Sequence, residues 1–276
     1  MKRSLQIGIA ALLAFAAPAH AQGRWFPEPG SNAYSYQLIQ RVPGRADEGY
    51  RLDYDLVADA QRGLVAVVTR AQHLAGTAWV NASIDETCRT ALHAGKGELA
   101  RVTLLPLAPE AAAGLGDPFL ALCAPPDILF PMFDILNVAL VQSPRFGIEA
   151  LAAPGDSNRY PAFDTNFLRG NFTGSAKSPG GAIKFVSLDA GRATIDWSPE
   201  PMALDITMHA AAPNGADMRM QGTERFAFRI VIDRKSGALI GATTPYDKLD
   251  MVMDIKDVPP LPMTIARDVT IARRAP

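Results

Sequence analysis

The chain has 276 residues, of which 48% are hydrophobic and 20% charged, with a formal net charge of −1. A chain this long and this apolar can bury a substantial core, which excludes disorder over most of its length. The near-neutral charge, with no long block of one sign, excludes the clustered basic face of a nucleic-acid binder.

The first 22 residues read as a secretory signal peptide. Lys2 and Arg3 supply a short positive segment, Ile7 to Ala17 form an apolar run, and Ala19-His20-Ala21 place small residues where a signal peptidase cuts. The apolar run is too short to span a bilayer, so no transmembrane segment is expected in the mature chain. No Cys follows the expected cleavage site, which argues against a lipid anchor. The expectation is therefore an exported protein, periplasmic or secreted, beginning near residue 23.

Period-two alternation dominates the mature chain. Residues 33–42 read as a strand. Tyr50, Leu52, Tyr54 and Leu56 then alternate with Arg51, Asp53 and Asp55, giving one apolar and one charged face. Further strands are expected at 63–70, 77–84 and 98–107. Residues 108–172 interrupt this pattern with repeated prolines. Within them Pro109–Leu115 could form a short turn of helix, and Pro126–Gln142 is apolar over most of its circumference, with Asp134 and Asn137 among its few polar positions. Such a helix must be buried or lie against an apolar surface. Residues 153–181 are rich in Gly, Pro, Ser and Asn and read as loop.

Alternation returns in the second half. Residues 182–189 and 191–198 flank a hairpin turn at Asp189-Ala190-Gly191. Met202, Leu204, Ile206 and Met208 share one strand face, and an Asn214-Gly215 turn follows. Phe226, Phe228, Ile230 and Ile232 share another, opposite Arg225 and Arg229. A turn at Asp233–Gly237 leads back through 238–244. Leu249, Met251, Met253 and Ile255 form a third apolar face, and residues 263–273 the last strand. Short strands separated by turns predict an all-β, mainly antiparallel meander with one apolar helix, arranged as a large curved sheet, an open barrel or a sandwich. The expected organisation is one domain over 23–276, with meanders at 33–107 and 182–273 joined by the insert at 108–181.

Cys88 and Cys123 form an even pair, which in an exported chain predicts a disulfide. No catalytic motif is present. His73, His93 and His209 are widely separated in sequence, and none has a second His or Cys within zinc-ligand spacing. Gly155-Asp156-Ser157 lacks the strand–turn–helix context of a nucleophile elbow. Asp53, Asp55, Asp250 and Asp254 fall on the charged faces of their strands. Neither a metal nor a cofactor is expected.

Methionine carries what functional content there is. Seven of the nine lie between residues 202 and 263. Met218 and Met220, like Met251 and Met253, are two residues apart and so project from one face. Methionine repacks around varied shapes. With Met202, Met208, Phe226 and Phe228 on neighbouring faces, and Phe130 and Phe133 on the apolar helix, these residues are the expected wall of an adaptable apolar site for an acyl chain or another hydrophobic ligand. In pattern, though not in residues, an exported antiparallel sheet with an apolar helix resembles the open β-barrels of periplasmic lipoprotein carriers, which implies that 126–142 would cover the cavity. The alternatives are an interaction module of the cell envelope that meets a protein partner, and a hydrolase whose Asp and His residues are gathered by folding.

Overall fold

The computed structural model describes residues 23–275, apart from 60–62, 83–88, 94–100, 106–118, 122–128, 143–145, 170–171 and 211–215. The signal peptide, both cysteines, the Pro109–Leu115 turn, the first residues of the expected helix and the Asn214-Gly215 turn lie outside the described residues.

Among the described residues the chain forms sixteen strands and one α-helix of consequence. In chain order the strands are β1 (Gly30–Arg41), β2 (Glu48–Asp59), β3 (Gly63–Ala75), β4 (Ala78–Asn81), β5 (Arg89–His93), β6 (Arg101–Leu105) and β7 (Phe119–Ala121). After helix α1 (Leu129–Val141) come β8 (Ser157–Tyr160), β9 (Phe163–Arg169), β10 (Phe172–Ser178), β11 (Gly181–Asp189), β12 (Arg192–Pro199), β13 (Met202–Met208), β14 (Met218–Asp233), β15 (Leu239–Ile255) and β16 (Val258–Arg273). All belong to one large curved sheet that does not close.

The main path runs β6-β5-β3-β2-β1-β16-β15-β14-β13-β10-β9-β7. Every described ladder is antiparallel except β7–β9. Because β1 pairs with both β2 and β16, the two meanders share one sheet rather than forming separate ones. The long strand β14 forks it. Residues 218–224 pair with β13, while 228–233 pair with β12, which carries β11 and β8 as a second arm.

The apolar parity of each strand points to one inner face. Leu38, Leu52, Ile183, Ile195, Phe228, Ile230, Leu249 and Ile271 are all buried there. At the base, Trp197 stacks on Phe228 at 5.8 Å and meets Phe226 edge-on at 5.3 Å. Its indole N–H donates to Tyr160 Oη at 3.0 Å, so this large residue buries its area without an unsatisfied donor. The outer face carries cross-strand ion pairs: Arg229 grips Asp196, Arg219 grips Asp205, and Arg225 reaches Asp250. Being exposed and screened by water, each contributes little to stability.

The expected all-β meander is present, and so is the apolar helix, at 129–141 within the expected 126–142. The reading of 153–181 as loop is corrected, since it holds β8, β9 and β10. These segments are poor in β-branched residues and are broken by Pro161, so their strand character comes from ladders to β11, β13 and each other. The strands β5 and β7 were likewise not read from the sequence. The two expected strands at 238–244 and 249–255 are one, β15, with a bulge between Thr243 and Lys248.

The β11–β12 turn is made by Ala190 and Gly191, both at positive φ (45° and 78°). Two left-handed residues define the hairpin turn whose twist matches the strands. Ala190 carries a Cβ where glycine is favoured. Replacing Ala190 with Gly should therefore raise stability by about 0.5–1 kcal/mol in urea unfolding, with the fold unchanged by circular dichroism.

Candidate functional site

Four strands, β13 to β16, present their inner faces side by side, and their register arranges the side chains in rows. Nearest the β15–β16 turn, Met208, Met218, Ile255 and Val258 are consecutive cross-strand partners. The next row is Ile206, Met220, Met253 and Leu261. A third holds Leu204, Gly222, Met251 and Met263, and a fourth Met202, Glu224, Leu249 and Ile265. Gly222 is needed for the close approach of β14 to β15, because a Cβ there would lie 2.1 Å from the Asp250 carbonyl oxygen.

Burial falls toward the hairpin end of this wall on β14, β15 and β16. Met202, Leu204, Ile206, Leu249 and Met251 are buried. Met208, Met218, Met220, Met253, Ile255 and Met263 are half-buried. Val258 and Leu261 are exposed, at 43% and 46%. The inner face thus begins as core and ends as a partly wetted apolar surface at the hairpin end.

From the fourth row inward, the face turns polar. Arg267 of β16 is 3% exposed and gathers three carboxylates: Asp134 of α1 at 2.6 Å, Glu224 of β14 at 2.7 Å and Asp247 of β15 at 3.1 Å. Tyr36 of β1 donates its hydroxyl to the same Asp134 oxygen at 2.6 Å. Glu224 and Asp247 both meet the Nη1 end of the guanidinium, while Asp134 holds Nη2. The guanidinium occupies the centre of the three acids, where a bound cation would otherwise sit.

The electrostatics follow from counting. Three carboxylates around one guanidinium leave a net charge of −2 if all are ionised, and burial disfavours that. Desolvation pushes Glu224 up to about 7 and Asp247 up to about 8, against the pull of Arg267; the Asp134 charge further raises both, and the Glu224 charge further raises Asp247. Asp134 is also raised by burial, with Arg267 and the Tyr36 hydroxyl opposing. Burial works against the charge on Arg267, yet the three acids raise it well above its ordinary value. The Tyr36 hydroxyl is raised by burial and by Asp134. The cluster therefore retains protons at neutral pH. Neither buried oxygen of Asp247 accepts a hydrogen bond from any described residue.

The register brings Met202, Met208, Met218, Met220, Met251 and Met253 onto one wall. Phe226 and Phe228 lie on the same face but deeper, buried against Trp197. Phe133 is partly buried and packs against the core from α1, and Phe130 lies in the helix's first turn. His209 sits apart, beyond β13. Its Nδ1 lies 3.0 Å from Asp217 and its Nε2 3.3 Å from Thr173. The order hydroxyl–imidazole–carboxylate is that of a nucleophile relay, but His209 and Asp217 are half-exposed. Asp217 also accepts from the Ala210 N–H, so the group clips the chain across the end of β13.

Sequence reading missed Asp134, Glu224, Asp247 and Arg267 as a group. The signal was parity: Glu224 shares the parity of Phe226 and Phe228, Asp247 that of Leu249 and Met251, and Arg267 that of Ile265 and Val269. Each charge stands where its strand's pattern calls for an apolar residue.

No family model matches the chain, and no curated protein matches it. Among solved structures, a mutant of the Rh. blastica porin is similar at 11% identity over 89% of this chain and 99% of that one, with a TM-score of 0.19. A Nitrosomonas europaea protein assigned provisionally as AttH is similar at 6% identity over 96% of this chain and 99% of that one, with a TM-score of 0.20. At those scores neither carries an argument.

The buried acids set the direction of pH dependence. Glu224 and Asp247 bind protons more tightly folded than unfolded, so the stability they contribute is present at low pH and is lost as pH rises from about 4 to about 8. Urea midpoints should fall between pH 6 and pH 8.5, and Glu224→Gln should flatten that fall. Arg267→Met, which strands the acids, should cost about 3–5 kcal/mol at pH 7.

Proposed function

We propose that the protein binds a hydrophobic ligand, an alkyl or acyl chain, along the thioether rows of its inner face. One observation carries this reading. Four strands place Met208, Met218, Met220, Met253 and Met263 side by side on the core-facing surface, yet leave them half-buried. Strand positions of this kind ordinarily take β-branched or aromatic residues, which pack rigidly. A run of unbranched thioethers instead provides a polarizable surface that can refit to a flexible chain. Contiguous apolar surface left open to water marks a place where something else binds.

The floor of the site supports the same reading. The polar cluster at Arg267 lies beside the buried end of this apolar wall, so the half-buried rows are the part of the face that is free to meet a ligand. Helix α1 is tied to that cluster through Asp134 and stands over the inner face at β1. In an exported protein, as the first 22 residues suggest, the ligand would be an envelope lipid or another apolar molecule of that compartment. The alternative, docking of an envelope protein on this surface, would need no uptake of small apolar molecules.

The test is uptake of N-phenylnaphthylamine, a neutral apolar probe that fluoresces out of water. Wild-type protein should give saturable enhancement, and native mass spectrometry of protein from the exported fraction should show an extractable apolar mass. Met220→Asp and Met253→Asp should each weaken probe binding about tenfold or more while the protein still unfolds cooperatively. Leu188→Asp, an exposed position on β11, should leave binding unchanged. Absence of any probe enhancement in the wild type would reject this reading in favour of a protein-docking surface.

A further inference from the structure

The sequence has no His or Cys motif of ligand spacing and so gives no reason to expect a metal, but the register assembles a different set of donors. We infer that the two thioether rows nearest the β15–β16 turn bind one soft monovalent metal ion, Cu(I), through Met208, Met218, Met220 and Met253. The inference goes beyond the reading of this face as a chain-binding surface and does not depend on it.

The four sulfurs come from three adjacent strands. Met208 of β13 is the direct cross-strand partner of Met218 on β14. Met220, two residues further along β14, is the partner of Met253 on β15. All four therefore stand on the inner face as one unbroken group. Partners across a ladder lie about 5 Å apart, and positions two residues apart along a strand roughly 7 Å apart. A methionine is unbranched and turns about three side-chain bonds, so its sulfur can swing into the space between such positions. Three or four thioethers meeting at one point are a ligand set that suits Cu(I).

The chemistry of the donors decides which ion is held. Thioether sulfur is soft and selects Cu(I) and its analogue Ag(I), whereas Mg(II) and Ca(II) need oxygen and Zn(II) prefers thiolate or imidazole. Among the described residues no group of three His, Cys, Asp or Glu could hold a metal. His209 follows Met208 in the chain, but its Nδ1 faces Asp217 and its Nε2 faces Thr173. Hard and borderline cations thus find no ligand set here, and a soft one does.

Exposure suits the same purpose. The four methionines are half-buried, so an ion reaches them from water at the hairpin end, while Met202 and Met251 of the deeper rows are closed off. Ile206, Ile255, Val258 and Leu261 complete the two rows and supply no competing donor. A thioether also carries no proton in water. Thiolate, imidazole and carboxylate ligands must each lose or withhold a proton before they bind a metal, which makes their affinity rise with pH. Affinity at a thioether site stays level.

The experiment labels the full mature protein with methyl-13C-methionine and follows the methyl resonances by NMR as Ag(I), a redox-inert stand-in for Cu(I), is added. One equivalent is expected to shift the methyls of Met208, Met218, Met220 and Met253 and to leave those of Met202 and Met251 in place, each resonance being assigned by its Met→Leu variant. Zn(II) should shift none of them. Competition with bicinchoninate in the presence of ascorbate should give a Cu(I) affinity that is the same at pH 5.5 and pH 8. Met218→Leu and Met220→Leu should each weaken it about tenfold or more. Both variants should still take up N-phenylnaphthylamine as the wild type does, because leucine keeps the volume and the apolar character of the position. An Ag(I) titration that moves none of the four methyls would overturn the metal site and leave the chain-binding reading standing. A Cu(I) affinity that rises with pH and survives both substitutions would overturn it in favour of thiolate ligation at Cys88 and Cys123. Shifts of the four methyls without probe uptake would support the metal site and overturn the chain-binding reading instead.

Discussion

Arg267 is the residue to which the inner face is tied. Its guanidinium reaches β14, β15 and helix α1 at once, and through Asp134 it reaches the Tyr36 hydroxyl on β1. A single cation thus fixes the position of the helix over adjacent strands. Ion pairs this deeply buried add little net stability, because desolvation of each partner offsets most of the Coulombic attraction. What they supply is discrimination. The apolar sides of α1 could slide over an apolar sheet at small cost, but only one placement sets Asp134 against Arg267 and Tyr36 together. The excess of acid over base is tolerated because the acids keep protons, so the cluster approaches neutrality without a second cation.

The backbone makes this arrangement possible. β15 carries a bulge between Thr243 and Lys248, and the bulge changes parity along the strand. Just upstream, Ala242 is buried; downstream, Asp247, Leu249 and Met251 are. Ala242 and Asp247 lie an odd number of residues apart and would face opposite sides of a regular strand, so the extra residue is what returns the downstream set to the inner face. The fork of β14 has a related effect. Its last residues pair with β12 and close the aromatic base around Trp197, while its first residues pair with β13 and carry the thioether rows outward. One long strand therefore joins a rigid end to an adaptable one.

Much of this was legible in the residues, and the illegible part has a physical cause. Strands such as Tyr50–Leu56 and Met202–Met208 announce themselves because one face meets the core and the other meets water. The helix is visible because it is apolar nearly all round, so burial on several sides is forced. β8, β9 and β10 were not visible, because Ser157, Asn158, Asp164, Asn166, Gly174 and Ser175 have little strand preference of their own and pair where β11 and β13 offer an edge. The methionine rows were half legible. Period-two spacing put Met218 with Met220 and Met251 with Met253, but which pairs share a row is set by register, and register is a property of two strands. The Arg267 cluster lay in plain view as four charges at apolar positions. Each alone reads as an exception, and only the sheet brings them to one point.

The gradient along the inner face is the strongest reason to treat it as a surface with a use. A sheet that needed only to bury its own core would end its apolar rows where burial ends, and outward positions would turn polar to satisfy water. Here the rows continue past that limit. Met220 and Met253 are cross-strand partners, as are Met253 and Leu261, and exposure rises along them without any change of chemistry. The prolines at 259, 260 and 262 lie on the stretch of β16 beyond its ladder with β1, where among the described residues no strand pairs with that edge. They remove N–H donors there, which discourages another strand from adding itself. The sequence thus protects the edge of this hairpin against strand pairing while leaving its apolar face uncovered. Protection of the backbone together with exposure of the side chains is the combination expected of a face that receives a small flexible molecule, and not of one that extends its sheet into a neighbour.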